Sequence, residues 1–199
     1  RENPTDDLLS AIANAKIEDK KLSDEFLDGS WLLIIFAGND TTRNTISGGI
    51  KLLHENQTQK DLLIQNLDLL PNFINETVRY VSPVIHMRRT SVEEAEINGQ
   101  KIGPYEKISL WYGAANRDPE IFKNPNEFNI LRENADKHLA FGMGRHTCLG
   151  KPVALMQLKE FYSQFLTRFN DFEMNGDWKV APNNFVHAIQ EMPIKFTPE

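Results

Sequence analysis

A glycine-rich segment that contains the single cysteine of the chain is the part of the sequence best suited to chemistry. Residues 141–150 read Phe-Gly-Met-Gly-Arg-His-Thr-Cys-Leu-Gly. The glycines allow unusual backbone angles and a close approach to a ligand. An apolar helical run begins directly after Cys148, so the thiol faces free N–H groups and the positive end of a helix dipole. Both features favour a thiolate.

A lone cysteine is usually a small buried hydrophobic residue, but the glycines and the helix start around Cys148 favour a functional role, for which there are four interpretations. A cysteine hydrolase needs a histidine base, but His146 is only two residues away, and such partners usually come from distant sequence. A dinucleotide loop needs G-x-G-x-x-G, and the third glycine falls elsewhere. A redox dithiol needs a second cysteine, which the chain lacks. A thiolate beside the flat, apolar Phe141 suits the ligation of haem iron, which is the interpretation that the residues favour.

Two other short segments carry residues at suggestive spacings. In 37–42, Ala-Gly-Asn-Asp-Thr-Thr, the hydroxyl of Thr41 can bond the carbonyl of Ala37 and bend a helix there, beside the space left by Gly38. Glu76 and Arg79 share one helix face. The alternatives are an ordinary packed or solvated helix face for the first segment and a surface ion pair for the second.

The elements that position these residues are mainly helical in the first half and mixed in the second. Thr5 or Asp6 predicts the cap of a helix to about Ala15, followed by a charged turn at 18–21. Ser23 predicts the start of an unusually long helix to about His54. Further helices are predicted at 58–66, 71–81 and 149–168, and strands at 84–89, 95–97, 101–102, 107–112, 171–174 and 184–196. Asn98-Gly99 predicts a hairpin turn, and 119–140 predicts a long loop.

Length and composition limit the class of protein. The chain has 199 residues, of which 40% are hydrophobic and 25% charged, as in a globular domain. A net charge of −6 argues against nucleic acid as the main partner. One cysteine excludes an internal disulfide. The longest apolar run, 31–37, is far shorter than the roughly 20 residues that span a bilayer, so we expect no membrane segment in this chain.

Taken together, these residues identify a resemblance to a known family. Phe-Gly-x-Gly-x-His-x-Cys-x-Gly resembles the haem-thiolate loop of the cytochrome P450 monooxygenases at every fixed position, and the segments at 37–42 and 76–79 match in the right order. The resemblance covers essentially the whole chain and is closest to soluble bacterial members. It implies a mainly α fold with small antiparallel β-sheets, the C-terminal half of the cytochrome P450 fold, with residues 1–199 as a single partial domain.

The resemblance also implies a role for each matching residue. Cys148 would be the axial ligand of heme b (iron protoporphyrin IX), with Arg89 and His146 near the propionates. Thr41 would steady bound dioxygen in a distorted central helix, and Asp40 would help to deliver protons. The remaining implied haem contacts are Phe141, Gly142, Gly150, Ala37 and Gly38. The implied substrate pocket comprises Phe36, Val84, Ile85, Met87, Phe185 and Val186.

In the family, the pair that matches Glu76 and Arg79 is buried and fixes the long loop before the cysteine. A third basic partner usually comes from that loop, often from an arginine just before the phenylalanine of a Pro-x-x-Phe segment. Here Glu127 occupies that position in 125–128. Arg132 and His138 are the two candidates for the missing partner.

The implied function is monooxygenation of an apolar small molecule with O2. Electrons would come from a ferredoxin- or flavodoxin-type donor, because nothing in the chain resembles a flavin or NAD site, and the face around Arg145 and Lys151 could meet an acidic donor. We expect a cytoplasmic enzyme. The chain is about half the usual family length, so we expect the isolated fragment to be inactive. The alternatives are a non-catalytic haem-binding fragment or remnant and, less favoured by Asp40 and Thr41, peroxide-driven oxidation.

Overall fold

The computed structural model describes residues 2–169 and 171–197. The chain divides into two compact units, one up to Asn39 and one from Asp40 onward, and the division falls within a long helix. The structure confirms the predicted fold class, a helix-rich chain with small antiparallel sheets.

The first unit contains a short helix, a hairpin and the beginning of the long helix. Helix α1 (Leu8–Asn14) is capped by Asp7, whose carboxylate accepts the Ser10 N–H at 2.8 Å. The predicted cap at Thr5 or Asp6 is therefore wrong by one or two residues. The predicted charged turn is the tip of a hairpin between β1 (Lys16–Ile17) and β2 (Lys20–Lys21).

The long helix α2 runs from Asp24 to Glu55, as the sequence predicts to within one residue at each end. Ser23 caps it by accepting the Phe26 N–H at 3.2 Å. The helix is α-helical at every residue, so the distortion expected near Thr41 does not interrupt it. Gly49 has a packing reason, since a Cβ there would overlap the Tyr162 hydroxyl and lie 2.9 Å from Thr77 Cγ2.

Two helices and a 3-10 turn follow α2. Helix α3 (Gln57–Gln65) leads through the turn Leu67–Leu69 to α4 (Leu70–Val81). Helix α4 ends at Val81, with Ser82 as its C-cap before Pro83, as predicted. Its end is not the extended backbone usual before proline, because Ser82 is left-handed with φ 45°. The Ser82 hydroxyl donates to the Arg79 carbonyl at 2.9 Å and accepts Asn116 Nδ2 at 2.8 Å, which secures this conformation.

The sheets are small and antiparallel. Strand β3 (His86–Thr90) pairs with β6 (Lys107–Trp111), and β4 (Ala95–Ile97) pairs with β5 (Gln100–Ile102). Asn98 and Gly99, with φ 50° and 80°, form the predicted hairpin turn. The pairs near the C-terminus are β7 (Phe172–Met174) with β10 (Ile194–Phe196), and β8 (Lys179–Val180) with β9 (Ile189–Glu191).

The sequence prediction is least accurate around the strand ends. Val84 is not in β3 but forms an isolated bridge. Tyr112, predicted as the end of a strand, begins a short helix α5 (Tyr112–Ala115). The long segment 119–140 contains only the 3-10 turn Ala135–Lys137. Helix α6 (Lys151–Arg168) begins two residues later than predicted.

The core of the second unit lies where α2, α4 and α6 pack together. Among the described residues, fourteen buried ones form it: Ile50, Leu52, Leu53, Leu63, Leu70, Phe73, Ile74, Val78, Phe128, Ile130, Leu158, Tyr162, Leu166 and Phe172. The Tyr162 hydroxyl donates to the Ile46 carbonyl at 2.8 Å, which satisfies the one polar atom of that ring. Among the described residues, no helix combines the length and apolarity that a membrane crossing requires.

Candidate functional site

The cysteine segment is a series of tight turns that ends in an exposed thiol. Gly142 and Gly144 have φ of 70° and 68°, conformations that favour glycine. A Cβ at Gly142 would lie 3.1 Å from the His146 carbonyl oxygen, so the chain closes on itself here. The Cys148 N–H donates to the Phe141 carbonyl at 2.8 Å, and this bond closes the loop with Cys148 exposed.

The flanks of the segment are an aromatic ring and a helix start. Phe141 is half-buried, and Lys151 Nζ lies 5.5 Å from its ring centroid. Gly150 caps α6 without a side chain. His146 is exposed in the 3-10 turn Gly144–His146. The segment therefore presents an exposed thiol between Phe141 and the start of α6.

His138 lies just before this segment and is buried beside Phe141, with ring centroids 5.6 Å apart. Burial, followed by the charge of Lys151, lowers the pKa of His138 to about 4. Its Nδ1 accepts the Ala140 N–H at 3.3 Å. An imidazole that stays neutral in this way is a packing group for the segment rather than a cation.

Asp40 and Thr41 lie on α2. The Asp40 carboxylate accepts Arg43 Nη2 at 2.6 Å, and the Asp40 side chain is 32% exposed. Thr41 is half-buried, and its carbonyl accepts the Thr45 hydroxyl at 2.8 Å. Phe36, Ala37 and Gly38 belong to the first unit and are exposed positions on the same helix. A Cβ at Gly38 would meet nothing within 4 Å, so close packing does not require this glycine.

Glu76 and Arg79 form a fully buried ion pair with two parallel bonds, Nε to Oε2 at 2.7 Å and Nη2 to Oε1 at 2.8 Å. Arg132 is the third member of the cluster, since its Nε donates to both carboxylate oxygens at 3.1 and 3.0 Å. The remaining guanidinium N–H groups of Arg132 reach the carbonyls of Lys123, Asn124 and Glu127. Of the two candidates for the third partner, the structure selects Arg132 over His138.

The cluster also holds the long segment that precedes the cysteine. Arg79 Nη1 donates to the carbonyls of Asn116 and Pro125 at 2.7 and 2.9 Å. Asn116 is buried, and its Oδ1 accepts the Leu139 N–H at 2.6 Å. Two arginines and one amide thus fix a segment with little regular structure, and the last of these bonds lies two residues before Phe141.

The structure brings together the two segments predicted to line a pocket. Val84 forms a β-bridge with Val186, and the Ile85 N–H donates to the Phe185 carbonyl at 2.8 Å. Met87 and Arg89 lie on one face of β3, opposite Leu110 and Ile108 of β6. Leu110 is 38% exposed, so this face is accessible and places three apolar side chains beside the charge of Arg89.

Sequence reasoning missed one polar residue that ties two of these parts together. Asn44 is 1% exposed, donates to the Asp40 carbonyl at 2.8 Å and accepts the Ile189 N–H at 3.0 Å. No local sequence pattern predicts these bonds of Asn44, because its second partner, Ile189, lies 145 residues away in the chain.

With this geometry in place, the comparisons with known proteins decide the family. A sequence profile described as Cytochrome P450 matches residues 55–197, which include the buried ion-pair cluster and the cysteine segment. The chain belongs to the cytochrome P450 family. This result confirms the family predicted from the sequence motifs.

Several bacterial cytochromes P450 are similar over the whole of this chain. A steroid C26-monooxygenase of Mycolicibacterium smegmatis is 39% identical over 100% of the chain and 50% of its own length. A linalool 8-monooxygenase of Pseudomonas putida is 36% identical over 100% of the chain and 49% of its own length. The chain spans about half the length of the curated relatives it matches.

Solved structures agree on the fold. Cytochrome P450 CYP108D1 of Novosphingobium aromaticivorans superposes with a TM-score of 0.91 at 33% identity, covering 100% of this chain and 48% of its own. P450BioI, solved in complex with a fatty-acid-loaded acyl carrier protein, gives 0.90 at 33% identity, covering 98% and 50%.

The residues present fit a haem, the cofactor that the cytochrome P450 family implies. The thiol is exposed, and the glycines around it leave room for close approach. Exposed apolar residues follow the cysteine: Leu149 lies just before α6, and Val153 and Met156 lie on one face of its first turns, with 76%, 53% and 63% of their surfaces exposed. A flat apolar macrocycle with an iron that prefers a thiolate matches this combination of sulfur and apolar surface.

Proposed function

We propose that this chain is the C-terminal half of a haem-thiolate monooxygenase, with the Cys148 thiolate as the axial ligand of heme b. The observation that carries the proposal is the exposed Cys148 thiol, the only one in the sequence, on a residue whose backbone N–H donates to the Phe141 carbonyl at 2.8 Å and closes a glycine-rich loop. When bound, the haem supplies the activation of O2. One oxygen atom enters a C–H bond of the substrate and the other leaves as water, which consumes two electrons and two protons.

The residues of the chain bind the cofactor and handle protons. Cys148 supplies electron density through sulfur, and Arg89 and His146 bind the propionates. The Thr41 hydroxyl and the Asp40 carboxylate hold protons and pass them toward the reacting oxygen. The other haem contacts proposed are Phe141, Gly142, Gly150, Ala37 and Gly38.

The substrate that this half would accept is an apolar small molecule. The bridge between Val84 and Val186 joins two apolar segments at one place, and Phe36, Ile85, Met87 and Phe185 complete the proposed lining. The relatives named above, a steroid and a linalool monooxygenase, act on apolar molecules by their names. Apolar surface removed from water would supply the binding free energy at roughly 25 cal/mol per Å².

Electrons would come from a separate ferredoxin- or flavodoxin-type donor. Arg145 and Lys151 are exposed on either side of Cys148 and offer two positive charges to an acidic partner. Charges at such a rim raise the association rate more than the affinity. This proposal predicts that the donor's on-rate falls with ionic strength.

A non-catalytic haem-binding fragment is the second candidate. It differs from the first candidate in predicting haem binding without turnover. A titration of haem into the 199-residue chain separates the two. Weak, non-stoichiometric binding without product formation is expected if the site needs the other half of the fold. Tight stoichiometric binding with turnover would identify a complete minimal enzyme, and tight binding without turnover would support the fragment.

The ligand itself is tested by Cys148→Ser in a full-length cytochrome P450 that contains this sequence. Loss of the strongly red-shifted Soret band of the carbon monoxide complex is expected, because that shift needs a thiolate. Thr147→Ser is the matched control, since it keeps the hydroxyl that bonds the Gly144 carbonyl at 2.9 Å and leaves the thiol in place. An unchanged band in Cys148→Ser would exclude Cys148 as the ligand.

A further inference from the structure

The buried Asn44 side chain joins two parts of the molecule that the proposed function uses separately. Its Nδ2 donates to the carbonyl of Asp40, one turn earlier on α2, at 2.8 Å. Its Oδ1 accepts the N–H of Ile189, the first residue of β9, at 3.0 Å. With 1% of its surface exposed, this amide has no competing water at its surface.

The segment that ends at Ile189 is held on its other side as well. The Ile85 N–H donates to the Phe185 carbonyl at 2.8 Å, and the His187 N–H donates to the Pro83 carbonyl at 2.9 Å. Residues 185–189 are therefore bound to 83–85 at one end and to Asn44 at the other. Because this short segment is hydrogen-bonded at both ends, a shift of Phe185 is expected to move Ile189 as well.

Water cannot replace the two hydrogen bonds of the buried Asn44 side chain, so losing either bond costs stability. A buried backbone N–H that loses its acceptor is left with an unmet bond, and so is a buried carbonyl that loses its donor. Both bonds gain strength from the low local dielectric. A change in the position of Ile189 therefore moves Asn44, and a change at Asn44 alters the hydrogen bonding of the Asp40 carbonyl.

We propose that Asn44 is a positioning residue that couples the segment carrying Phe185 and Val186 to the turn of α2 that carries Asp40 and Thr41. The inference rests on the proposed function for its consequence: a substrate that contacts Phe185 adjusts the proton-delivering turn through one side chain. The coupling is reciprocal, so a change at Asp40 also alters the segment at 185–189.

The coupling can be measured by NMR on the haem-free 199-residue chain. Asn44→Asp keeps an oxygen for the Ile189 N–H but removes the donor to the Asp40 carbonyl, whereas Asn44→Ala removes both. In Asn44→Ala, exchange of the Ile189 amide with solvent is expected to rise about tenfold, as for the loss of one hydrogen bond. In Asn44→Asp, the protection of Ile189 is expected to remain.

The decisive measurement uses Phe185→Ala as the perturbation and the carbonyl carbon of Asp40 as the reporter. Phe185→Ala is expected to shift the Asp40 resonance in the otherwise unchanged chain and not in the Asn44→Asp background. Asn75→Asp is the matched control, because Asn75 makes the same bond to the carbonyl four residues back, at 3.1 Å within α4. The response of Asp40 to Phe185→Ala should survive that control.

Two results would overturn the coupling: an equal shift at Asp40 in both backgrounds, or unchanged Ile189 exchange in Asn44→Ala. If Asn44→Ala does not fold, the Asp40 response to Phe185→Ala in the parent and in the Asn44→Asp background still tests the coupling. None of these readouts needs haem, so a failure of the Cys148→Ser test would leave them intact. In a full-length cytochrome P450, Asn44→Asp is expected to lower product formed per electron consumed, and an unchanged ratio would exclude the catalytic consequence.

Discussion

Arg132 Nε donates to both oxygens of the Glu76 carboxylate, at 3.1 and 3.0 Å, across 56 residues of chain. The same carboxylate takes two further bonds from Arg79 and one from the Asn129 N–H at 3.0 Å. Glu76 is thus the one carboxylate that two buried arginines share, and the cluster anchors the long segment before the cysteine. The segment keeps its path through side-chain bonds to its carbonyls.

Replacing Glu76 with alanine is expected to destabilise the chain by about 3–5 kcal/mol, because two buried guanidinium groups lose their counter-charge. Domains have only about 5–15 kcal/mol of stability in total, so the variant should melt early and, in a full-length protein, retain haem poorly. Urea unfolding followed by circular dichroism measures the change.

The matched control for this carboxylate is Glu191→Ala. Glu191 accepts Lys179 Nζ at 2.7 Å, with both side chains 57% exposed. Exposed pairs contribute about 0–1 kcal/mol, so this variant should unfold close to the parent. A Glu76→Ala protein as stable as Glu191→Ala would contradict the role of the buried cluster.

Replacing Gly49 with alanine is expected to be destabilising although alanine is the better helix former. The added Cβ would overlap the Tyr162 hydroxyl and approach Thr77 Cγ2 to 2.9 Å, and overpacking of this kind costs about 1–3 kcal/mol. Gly29→Ala on the same helix is the control, since a Cβ there meets nothing within 4 Å. It should gain up to about 1 kcal/mol.

The Tyr162→Phe substitution tests whether overlap with the Tyr162 hydroxyl causes the loss of stability in Gly49→Ala. It removes the nearest overlapping atom, so it should restore part of the stability lost in Gly49→Ala. If Gly49→Ala and Gly29→Ala unfold at the same urea concentration, the conclusion that α2 packs too closely on α6 for a Cβ at position 49 is wrong.

In a full-length cytochrome P450 that contains this sequence, Thr41→Ala is expected to keep haem and substrate binding but to lower product per electron and raise hydrogen peroxide. The reason is that, under the proposed function, the variant loses the hydroxyl that would hold a proton near the reacting oxygen. Thr41→Ser retains that hydroxyl and should restore the product yield. A level yield in Thr41→Ala would make Thr41 only a helix residue.

His138 is expected to make the fold sensitive to acid. Burial holds its pKa at about 4, against 6.5 for an ordinary histidine. The unfolded chain therefore binds a proton between these values while the folded chain does not, so stability falls as the pH drops from about 6.5 to about 4. The loss attributable to His138 is on the order of 3 kcal/mol.

The measurement compares urea midpoints across this pH range for the parent, His138→Gln and His146→Gln. His138→Gln should flatten the dependence, whereas the exposed His146 should leave it unchanged. The same slope in all three proteins would assign the acid sensitivity to other groups.

The sequence predicted elements whose signals are local. Ser23 placed the start of α2, Asn98-Gly99 placed a hairpin turn, and Pro83 placed the end of α4, because each acts on the backbone of its immediate neighbours. The cysteine segment could also be recognised from the sequence, because its glycines and its thiol lie within ten residues of each other. The strand ends were less accurate: Tyr112 donates its N–H to the Ile85 carbonyl at 3.1 Å and then turns into α5.

Only the tertiary structure decided which distant residues meet. Arg132 and His138 were both candidates for the third partner of Glu76, and the fold carried Arg132 to the carboxylate while it buried His138 as a neutral ring. Asn44 gained its role from Ile189, 145 residues away. Backbone turns and helix ends depend on neighbouring residues and so are written in the sequence, whereas the partner of a buried charge or amide depends on which segments the packed core brings within hydrogen-bond distance.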